Sequence, residues 1–151
     1  MHSNEELAAL AVDLIAAGSH FTRAAYQASG MELSNVSMRA LAALEREPGL
    51  RIGELAAREG IRQPSMSQAM KRLVNDGYAA RHTADDDARA TALTITDAGR
   101  EVLRSYRAAA AEAVAPVFEP LKPEDVATLK RAAELLPELT AELKQRKGGR
   151  E

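Results

Sequence analysis

Apolar residues along most of this chain recur every three or four positions, the spacing that places them on one face of an α-helix. In the first segment the stripe consists of Leu7, Leu10, Leu14 and Phe21. It predicts a helix that ends near Gly30. A second helix is predicted from an N-cap at Ser34 to the Pro48-Gly49 pair, and its buried stripe consists of Val36, Ala40, Leu41 and Leu44.

Two shorter helices follow, separated by a glycine turn. The first is predicted over about residues 52–59 and is closed by Gly60. The second begins near Pro64, because a proline in the first turn lacks only an N–H that would have no partner there. It ends at Gly77, and its inner face is formed by Met66, Ala69, Met70, Leu73 and Val74.

Beyond Gly77 the apolar period changes from about 3.6 to 2, which predicts β-strands. The first strand covers residues 78–82, and the second contains Thr91, Leu93 and Ile95. The polar residues 83–88 between them predict a loop, so the two strands would form a projecting hairpin.

Two more helices are predicted after the hairpin. The first has Thr96 as its N-cap and an apolar side of Val102, Tyr106, Ala109 and Ala113. Pro116 and Pro120 are expected to break or end it. The second begins at Pro123 and carries a heptad-like stripe of Val126, Leu129, Ala133, Leu136, Thr140 and Leu143. Pro137 is expected to kink it, and residues 144–151 are expected to fray.

This order of elements is typical of a winged helix-turn-helix. The predicted fold is mainly α with a small β-hairpin wing, and it has N- and C-terminal dimerisation helices. We predict an N-terminal dimerisation helix over residues 1–32 and a DNA-binding lobe over 33–99. The C-terminal dimerisation helices then cover residues 100–147, and a disordered tail covers 148–151.

The composition removes several function classes. The chain has no cysteine, which excludes disulfides, thiolate metal sites, cysteine nucleophiles and thiol redox sensing. His2, His20 and His82 are scattered and there is no glycine-rich phosphate loop, so we expect no metal, no cofactor and no enzymatic activity. No stretch approaches the roughly 18 apolar residues of a membrane-spanning helix, and the polar, acidic start is unlike a secretory signal.

The net charge of −2 is at first sight weak evidence against a nucleic-acid partner. The acidic excess, however, lies in residues 1–32, whose net charge is −3. No Asp or Glu occurs from residue 60 to 75, a stretch that instead contains Arg62, Lys71 and Arg72. Such cations neutralise DNA phosphates. Small polar side chains that suit base edges stand near the start of the same helix: Gln63, Ser65, Ser67 and Gln68.

Several short motifs occur in a fixed order along this region. They are Ile52-Gly53-Glu54-Leu55-Ala56, Pro64-Ser65-Met66-Ser67-Gln68, Gly77-Tyr78, Asp87-Ala88-Arg89 and Ile95-Thr96-Asp97-Ala98-Gly99. With this joint spacing the chain resembles the MarR family of bacterial transcriptional regulators over nearly its whole length. The resemblance implies a cytoplasmic, bacterial or archaeal homodimer that binds double-stranded DNA at an inverted repeat, as a repressor released by a small ligand.

The resemblance also implies roles for single residues. Base contacts are expected from Gln63, Ser65, Ser67, Gln68 and Arg72. Phosphate contacts are expected from Ser34, Ser37, Arg51, Arg62 and Lys71. Ser34 is better suited to a helix cap, and Arg51 is alternatively an exposed charge. At the wing, Arg89 is expected to enter the minor groove, with Asp87 either orienting its guanidinium or remaining a solvated loop acid.

The sequence departs from the family pattern at the wing and on the recognition helix. In the wing, Ala88 and His82 stand where the family commonly has Arg or Lys, and Asp85 and Asp86 add negative charge. On the recognition helix, Gln68 stands where Arg is frequent. We therefore expect weak nonspecific DNA binding and a shallow dependence of affinity on salt.

The apolar stripes of the first and last helices would be exposed in a monomer, so they are expected to pair across a two-fold axis or to pack within the chain. The interface candidates are Leu7, Leu10, Leu14, Val126, Leu129, Leu136 and Leu143. A two-fold dimer sets its recognition helices about 34 Å apart, which predicts an inverted-repeat operator. The resemblance further implies a small aromatic effector, with His20, Tyr26, Met38 and Tyr106 as candidate lining residues. His20 is alternatively an ordinary surface or core histidine.

A second function class competes with the regulator. The acidic residues 85–87 and the net charge of −2 favour a ligand-binding or protein-interaction module on the same fold, with little DNA affinity. A mobility-shift titration against DNA from upstream of the gene distinguishes the two.

Overall fold

The computed structural model describes residues 1–84 and 87–148, with side chains described for residues 1–83 and 91–146. These residues form six helices and one antiparallel pair of strands. In chain order the elements are α1 (Asn4–Ala28), α2 (Asn35–Arg46), α3 (Ile52–Glu59), α4 (Gln63–Asn75), β1 (Ala79–Ala84), β2 (Asp87–Ile95), α5 (Asp97–Phe118) and α6 (Pro123–Gly148). The predicted fold, mainly α with a hairpin wing, is confirmed.

The chain divides into two compact units, which we describe separately. The first, residues 1–112, contains the helices α1 to α4, the hairpin and most of α5. The second begins at Ala113 and contains the end of α5 and all of α6. The predicted boundaries after residues 32 and 99 stay predictions.

The helix ends follow from local capping chemistry. A capping box opens α1, where the Ser3 hydroxyl accepts from the Glu6 N–H at 3.1 Å and the Glu6 carboxylate accepts from the Ser3 N–H at 2.7 Å. The Ser34 hydroxyl caps α2, as predicted, by accepting from the Ser37 N–H at 3.1 Å. Gly60 ends α3 at a φ of +60°, a backbone conformation that favours glycine.

The core of the first unit lies between α2, α3, α4, the hairpin and α5. Its largest fully buried side chains are Leu41, Leu44, Leu55, Met66, Met70, Leu73, Leu93 and Leu103. Burying one such side chain is worth about 1.5–3 kcal/mol. The predicted inner faces of α2 and α4 are confirmed, with Val36 and Val74 half-buried at their margins.

The hairpin is longer than the sequence pattern predicts. Its register pairs Ala79 with Ile95, Arg81 with Leu93 and Thr83 with Thr91, and it shifts after Thr83. Residues 83–84 and 87–88 were expected in the loop but belong to the strands. Ladder hydrogen bonds join backbone groups, so the pairing continues through polar residues that give no apolar alternation. The expected loop residues Asp85 and Asp86 lie outside the described residues.

A short backbone bridge ties the base of the hairpin to the segment before α3. The Leu93 N–H donates to the Leu50 carbonyl at 2.9 Å, and the Gly49 N–H donates to the Leu93 carbonyl at 2.8 Å. Leu93 is also fully buried, so backbone and side chain together anchor β2.

On α5, Tyr106 is buried as predicted and Val102 packs against the core, whereas the other buried positions are Gly99, Leu103 and Ala110 rather than Ala109 and Ala113, which are half-buried. Two other expectations for the last helices are wrong. Pro116 does not end α5, which continues to Phe118, since one proline removes a single helical hydrogen bond near the helix end. The frayed segment predicted from residue 144 is helical to Gly148. The rest of the predicted disordered tail, residues 149–151, lies outside the described residues.

Of the three prolines predicted to perturb the last two helices, Pro116 and Pro137 lie within α5 and α6, and Pro120 follows the end of α5 at Phe118, as predicted. The kink expected at Pro137 stays a prediction. Among the described residues, no helix combines the length and hydropathy needed to cross a bilayer.

Candidate nucleic-acid interface

Helix α4 has one buried face and one exposed face. Met66, Ala69, Met70 and Leu73 are buried, and they anchor the helix against α2 and α3. The predicted base-contact residues Gln63, Ser65, Gln68 and Arg72 are exposed, and Ser67 is half-buried. Because the inner face is fixed in the core, the outer face is presented by a rigid support rather than by a loop.

The exposed face of α4 is cationic and contains no acid. Arg62, Lys71 and Arg72 are exposed and form no ion pair with any carboxylate that the structure describes. Several other arginines of the first unit are paired with acids, as in the Arg107–Glu45 pair at 3.1 Å. The α4 cations are therefore available to an external anion, and no neighbouring acid on α4 opposes it.

The residues predicted to contact phosphate on α2 differ in accessibility. Ser34 is exposed, and its hydroxyl also donates to the Ser37 hydroxyl at 3.0 Å. Ser37 is only 4% exposed. The phosphate contact expected of Ser37 does not fit this burial, because its hydroxyl lies inside the fold against the α2 cap. Ser34 has the capping role, and its phosphate contact stays a prediction.

Arg51 lies immediately before α3. Its backbone N–H donates to the Glu54 carboxylate at 2.8 Å, which holds the first turn of that helix. The Arg51 side chain is exposed and pairs with no described carboxylate. Both readings of this residue, a phosphate contact or an exposed charge, remain open.

The wing brings a histidine and an arginine to its exposed surface. Arg81 and His82 in β1 are exposed, and the His82 Nε2 lies 2.8 Å from the Thr94 Oγ1 on β2. Asp87 and Arg89 belong to β2, but their side chains lie outside the described residues. Their predicted minor-groove contact and carboxylate–guanidinium pairing stay predictions.

A junction that sequence reasoning missed connects α4, the wing and α5. The Thr96 hydroxyl accepts from the Gly99 N–H at 3.1 Å, as expected of an N-cap, but it also donates to the Gly77 carbonyl at 2.6 Å. The Thr96 N–H donates to the Tyr78 carbonyl at 3.1 Å. The end of α4 and the start of β1 are thereby tied to the first turn of α5. The Ile95-Thr96-Asp97-Ala98-Gly99 motif was the signal of this junction.

The aromatic candidates for an effector site belong to the core of the first unit. The rings of Tyr26 and Tyr106 lie 4.7 Å apart between centroids, and both pack with the buried Met38 in one cluster. Burial, and secondarily the neighbouring Tyr26, raise the pKa of the Tyr106 phenol above its ordinary value. His20 is exposed on α1 and is not part of that cluster.

The terminal helices leave most of their apolar side chains exposed. α1 has no buried residue, and Leu7, Leu10 and Leu14 are exposed along it. Within the second unit, Leu129, Leu136 and Leu143 of α6 are exposed and Val126 is half-buried. Intrachain packing covers Val126 in part, and pairing of these stripes across a two-fold axis stays a prediction.

Comparison with known proteins gives consistent results. The sequence profile described as MarR family matches residues 29–90. HTH-type transcriptional regulators of Mycobacterium leprae and Mycobacterium tuberculosis are each 31% identical over 114 residues, which is 76% of this chain and 78% of the relative. A MarR family transcriptional regulator from Silicibacter pomeroyi is 28% identical, with a TM-score of 0.56 over 85% of this chain and 86% of that one. A MarR family protein from Bacillus stearothermophilus, 15% identical, shares the fold with a TM-score of 0.69 over 93% of this chain and 99% of that one.

Proposed function

Because the chain belongs to the MarR family of DNA-binding transcriptional regulators, we propose that it binds an inverted-repeat operator as a homodimer and acts as a repressor that a small aromatic ligand releases. The observation that carries the proposal is the exposed face of α4. That face has no acid, and its cations Arg62, Lys71 and Arg72 pair with no described carboxylate.

The polar residues of α4 are proposed to contact bases, and the basic residues in and beside α4 are proposed to contact phosphates. Ser65, Ser67 and Gln68 lie in the first two turns, where a recognition helix reaches base edges in the major groove. Gln68 has the amide geometry that pairs with adenine. Arg62 at the N-cap and Lys71 two turns later flank these residues and neutralise phosphates. Arg72 contacts a base or a phosphate, and Arg89 of the wing enters the minor groove.

The homodimer is supported by the exposed apolar stripes. A 25-residue helix with no buried residue, such as α1, is a poor candidate for an isolated element in water. Leu10 is 61% exposed and Leu143 is 69% exposed in the single chain. A second copy of the chain supplies an apolar surface for both stripes, and its two-fold axis repeats the recognition helix at a fixed spacing.

Release by a small aromatic ligand is supported by the pair of rings in the core. The tilted rings of Tyr26 of α1 and Tyr106 of α5 lie in contact where the N-terminal helix meets the helix that follows the DNA-binding lobe. A ligand that binds between such elements changes DNA affinity only as far as it prefers one arrangement of the lobes over another. Benzoate is a suitable first probe, because it is a small aromatic anion.

The test is a titration of fluorescent duplexes with purified full-length protein at fixed salt. Duplexes are selected by the protein from random DNA and compared with scrambled versions. Gln68→Ala should weaken binding to the selected duplex by about 30-fold or more, because each of the two protomers loses a side-chain contact to a base worth about 1–3 kcal/mol. Arg89→Ala should weaken it as well. Gln145→Ala, which removes an exposed glutamine from α6, is the matched control and should bind normally.

Two results contradict this proposal. If no duplex is preferred over its scrambled version, the alternative of a ligand-binding or protein-interaction module with little DNA affinity is favoured. If Gln68→Ala and Arg89→Ala both bind DNA as tightly as Gln145→Ala, the proposed recognition of bases by α4 and of the minor groove by the wing is wrong. Addition of benzoate to the preformed complex separately tests whether a small aromatic anion releases the DNA.

A further inference from the structure

A charge cluster joins the outer surface of α2 to the last residue of α3. It consists of Arg39, Arg46 and Glu59. The Arg39 Nε donates to one carboxylate oxygen of Glu59 at 3.3 Å, and the Arg46 Nη2 donates to the other at 3.1 Å. The Arg39 Nη2 also donates to the main-chain carbonyl of Glu59. One acid thus receives two cations, and one of those cations also binds its backbone.

This cluster differs from the other surface ion pairs of the first unit. The Glu59 side chain is only 13% exposed, although both arginines are about half exposed. The Glu59 carbonyl belongs to the last turn of α3, where carbonyl groups lack helical partners. Arg39 supplies the missing donor. The neighbouring Arg58–Glu47 pair joins the same two helices but is about half exposed on both sides and binds no backbone group.

The position of the cluster connects it to α4. Only residues 60–62 separate Glu59 from the first residue of α4. Gly60 makes a left-handed turn there, and the Ile61 N–H donates back to the Ala56 carbonyl at 2.9 Å. Because this connection is short and hydrogen-bonded to α3, a displacement of the end of α3 also displaces the first turn of α4. That turn carries Ser65, one of the side chains proposed to read bases.

We propose that Glu59, held by Arg39 and Arg46, is a positioning residue that sets the α4 N-terminus for base recognition. The inference rests on the proposed reading of DNA by α4. It assigns to the cluster an effect on the preference for one DNA sequence over another, beyond a contribution to stability. A residue that only stabilised the fold would change the folded fraction and so affect all duplexes equally.

The test compares Glu59→Gln with Glu47→Gln. Each variant removes one negative charge, so long-range electrostatic effects on DNA binding are matched. Glu59→Gln weakens the ion pairs to two arginines, and Glu47→Gln weakens the one pair to Arg58. Dissociation constants are measured at one salt concentration for a duplex selected by the wild-type protein and for its scrambled version. We expect Glu59→Gln to lower the preference for the selected duplex about tenfold, comparable to the loss of one base contact. Glu47→Gln should leave the preference within about twofold, as expected of an exposed pair.

Arg39→Lys provides a second variant if Glu59→Gln unfolds at the assay temperature. A lysine keeps the charge but has a single nitrogen, so it does not reproduce the paired bonds of Arg39 to the Glu59 carboxylate and carbonyl. It should also lower the preference for the selected duplex, with a melting temperature close to that of the wild type.

The outcomes separate this inference from the proposed function. If the wild-type protein selects no duplex, the proposed function fails first. If it selects one, and Glu59→Gln and Arg39→Lys retain the preference or weaken both duplexes equally, the cluster has no positioning role. A selective loss in these variants that is absent in Glu47→Gln supports it.

Discussion

Replacing Gly99 with alanine places a methyl group where the first unit has no room for one. The new Cβ would lie 2.0 Å from the Tyr78 carbonyl oxygen and 2.8 Å from the Ile95 Cγ1. Both distances are far below the roughly 3.5–4.0 Å of an optimal nonbonded contact. The closest atom belongs to the backbone, and that carbonyl accepts the Thr96 N–H at 3.1 Å, so it cannot turn away as a flexible side chain would.

The magnitude follows from opposing terms. Inserting a methyl group into a packed site costs about 1–3 kcal/mol, sometimes more. Weakening the Thr96 N–H bond to Tyr78 adds about 1 kcal/mol. Alanine is a better helix former than glycine, and this difference in α5 offsets about 1 kcal/mol of the loss in stability. The free energy of unfolding should therefore fall by about 1–3 kcal/mol, which for a chain of this size lowers the melting temperature by roughly 3–10 °C.

The assay is denaturant and thermal unfolding followed by circular dichroism. All variants are compared at one protein concentration, because the stability of a dimer depends on concentration. Gly53→Ala is the matched control, since Gly53 also lies in the first turn of a helix, α3, and an added Cβ would meet only the Gln63 Oε1 at 3.8 Å, an ordinary contact. This control should be neutral or more stable by up to about 1 kcal/mol.

The reasoning is refuted if Gly99→Ala is as stable as the wild-type protein while Gly53→Ala behaves as expected. That result would mean that the contact between Gly99 and Tyr78 relaxes freely. A loss of stability in both variants would instead show that glycine is needed at each position for a reason other than this contact.

Three further predictions concern the cap, the DNA-binding face and the dimer. Ser34→Ala should lower the free energy of unfolding by about 1 kcal/mol, because the Ser37 N–H loses its acceptor; an unchanged denaturation midpoint would show that the cap contributes nothing. Lys71→Gln should reduce the slope of log affinity against log salt by about 1.8 for the proposed dimer, or about 0.9 for each protomer, and an unchanged slope would remove Lys71 from the phosphate contacts. Leu10→Asp should shift the protein from dimer to monomer in sedimentation velocity, whereas retention of the dimer would exclude Leu10 from the interface.

The helix-turn-helix was predictable because its signals are local. The ends of α2 and α3 depend on Ser34 and Gly60, whose effects are confined to one helical turn. The buried face of α4 follows from the spacing of its own apolar residues. Base-contact candidates on the opposite face were therefore placed at the surface by sequence alone, although their contacts with DNA stay predictions.

Features that depend on distant partners were not predictable in the same way. The hairpin extends past Thr83 because backbone pairing between strands needs no apolar alternation. Ser37 has the appearance of a surface serine, but the packing of α2 buries it. The bonds of Arg39 to Glu59 span 20 residues, and nothing in either local sequence indicates the other.

The sequence by itself determined the order of helices and strands, the acid-free face of α4 and the absence of cysteine chemistry, because each depends on residue identity and short-range spacing. Only the tertiary structure decided how that face is supported. It closes the Arg39–Glu59–Arg46 cluster against the turn before α4, and it brings Gly99 against the Tyr78 carbonyl. These contacts join residues 13 to 21 positions apart, so they exist only once the core has packed and brought the helices together.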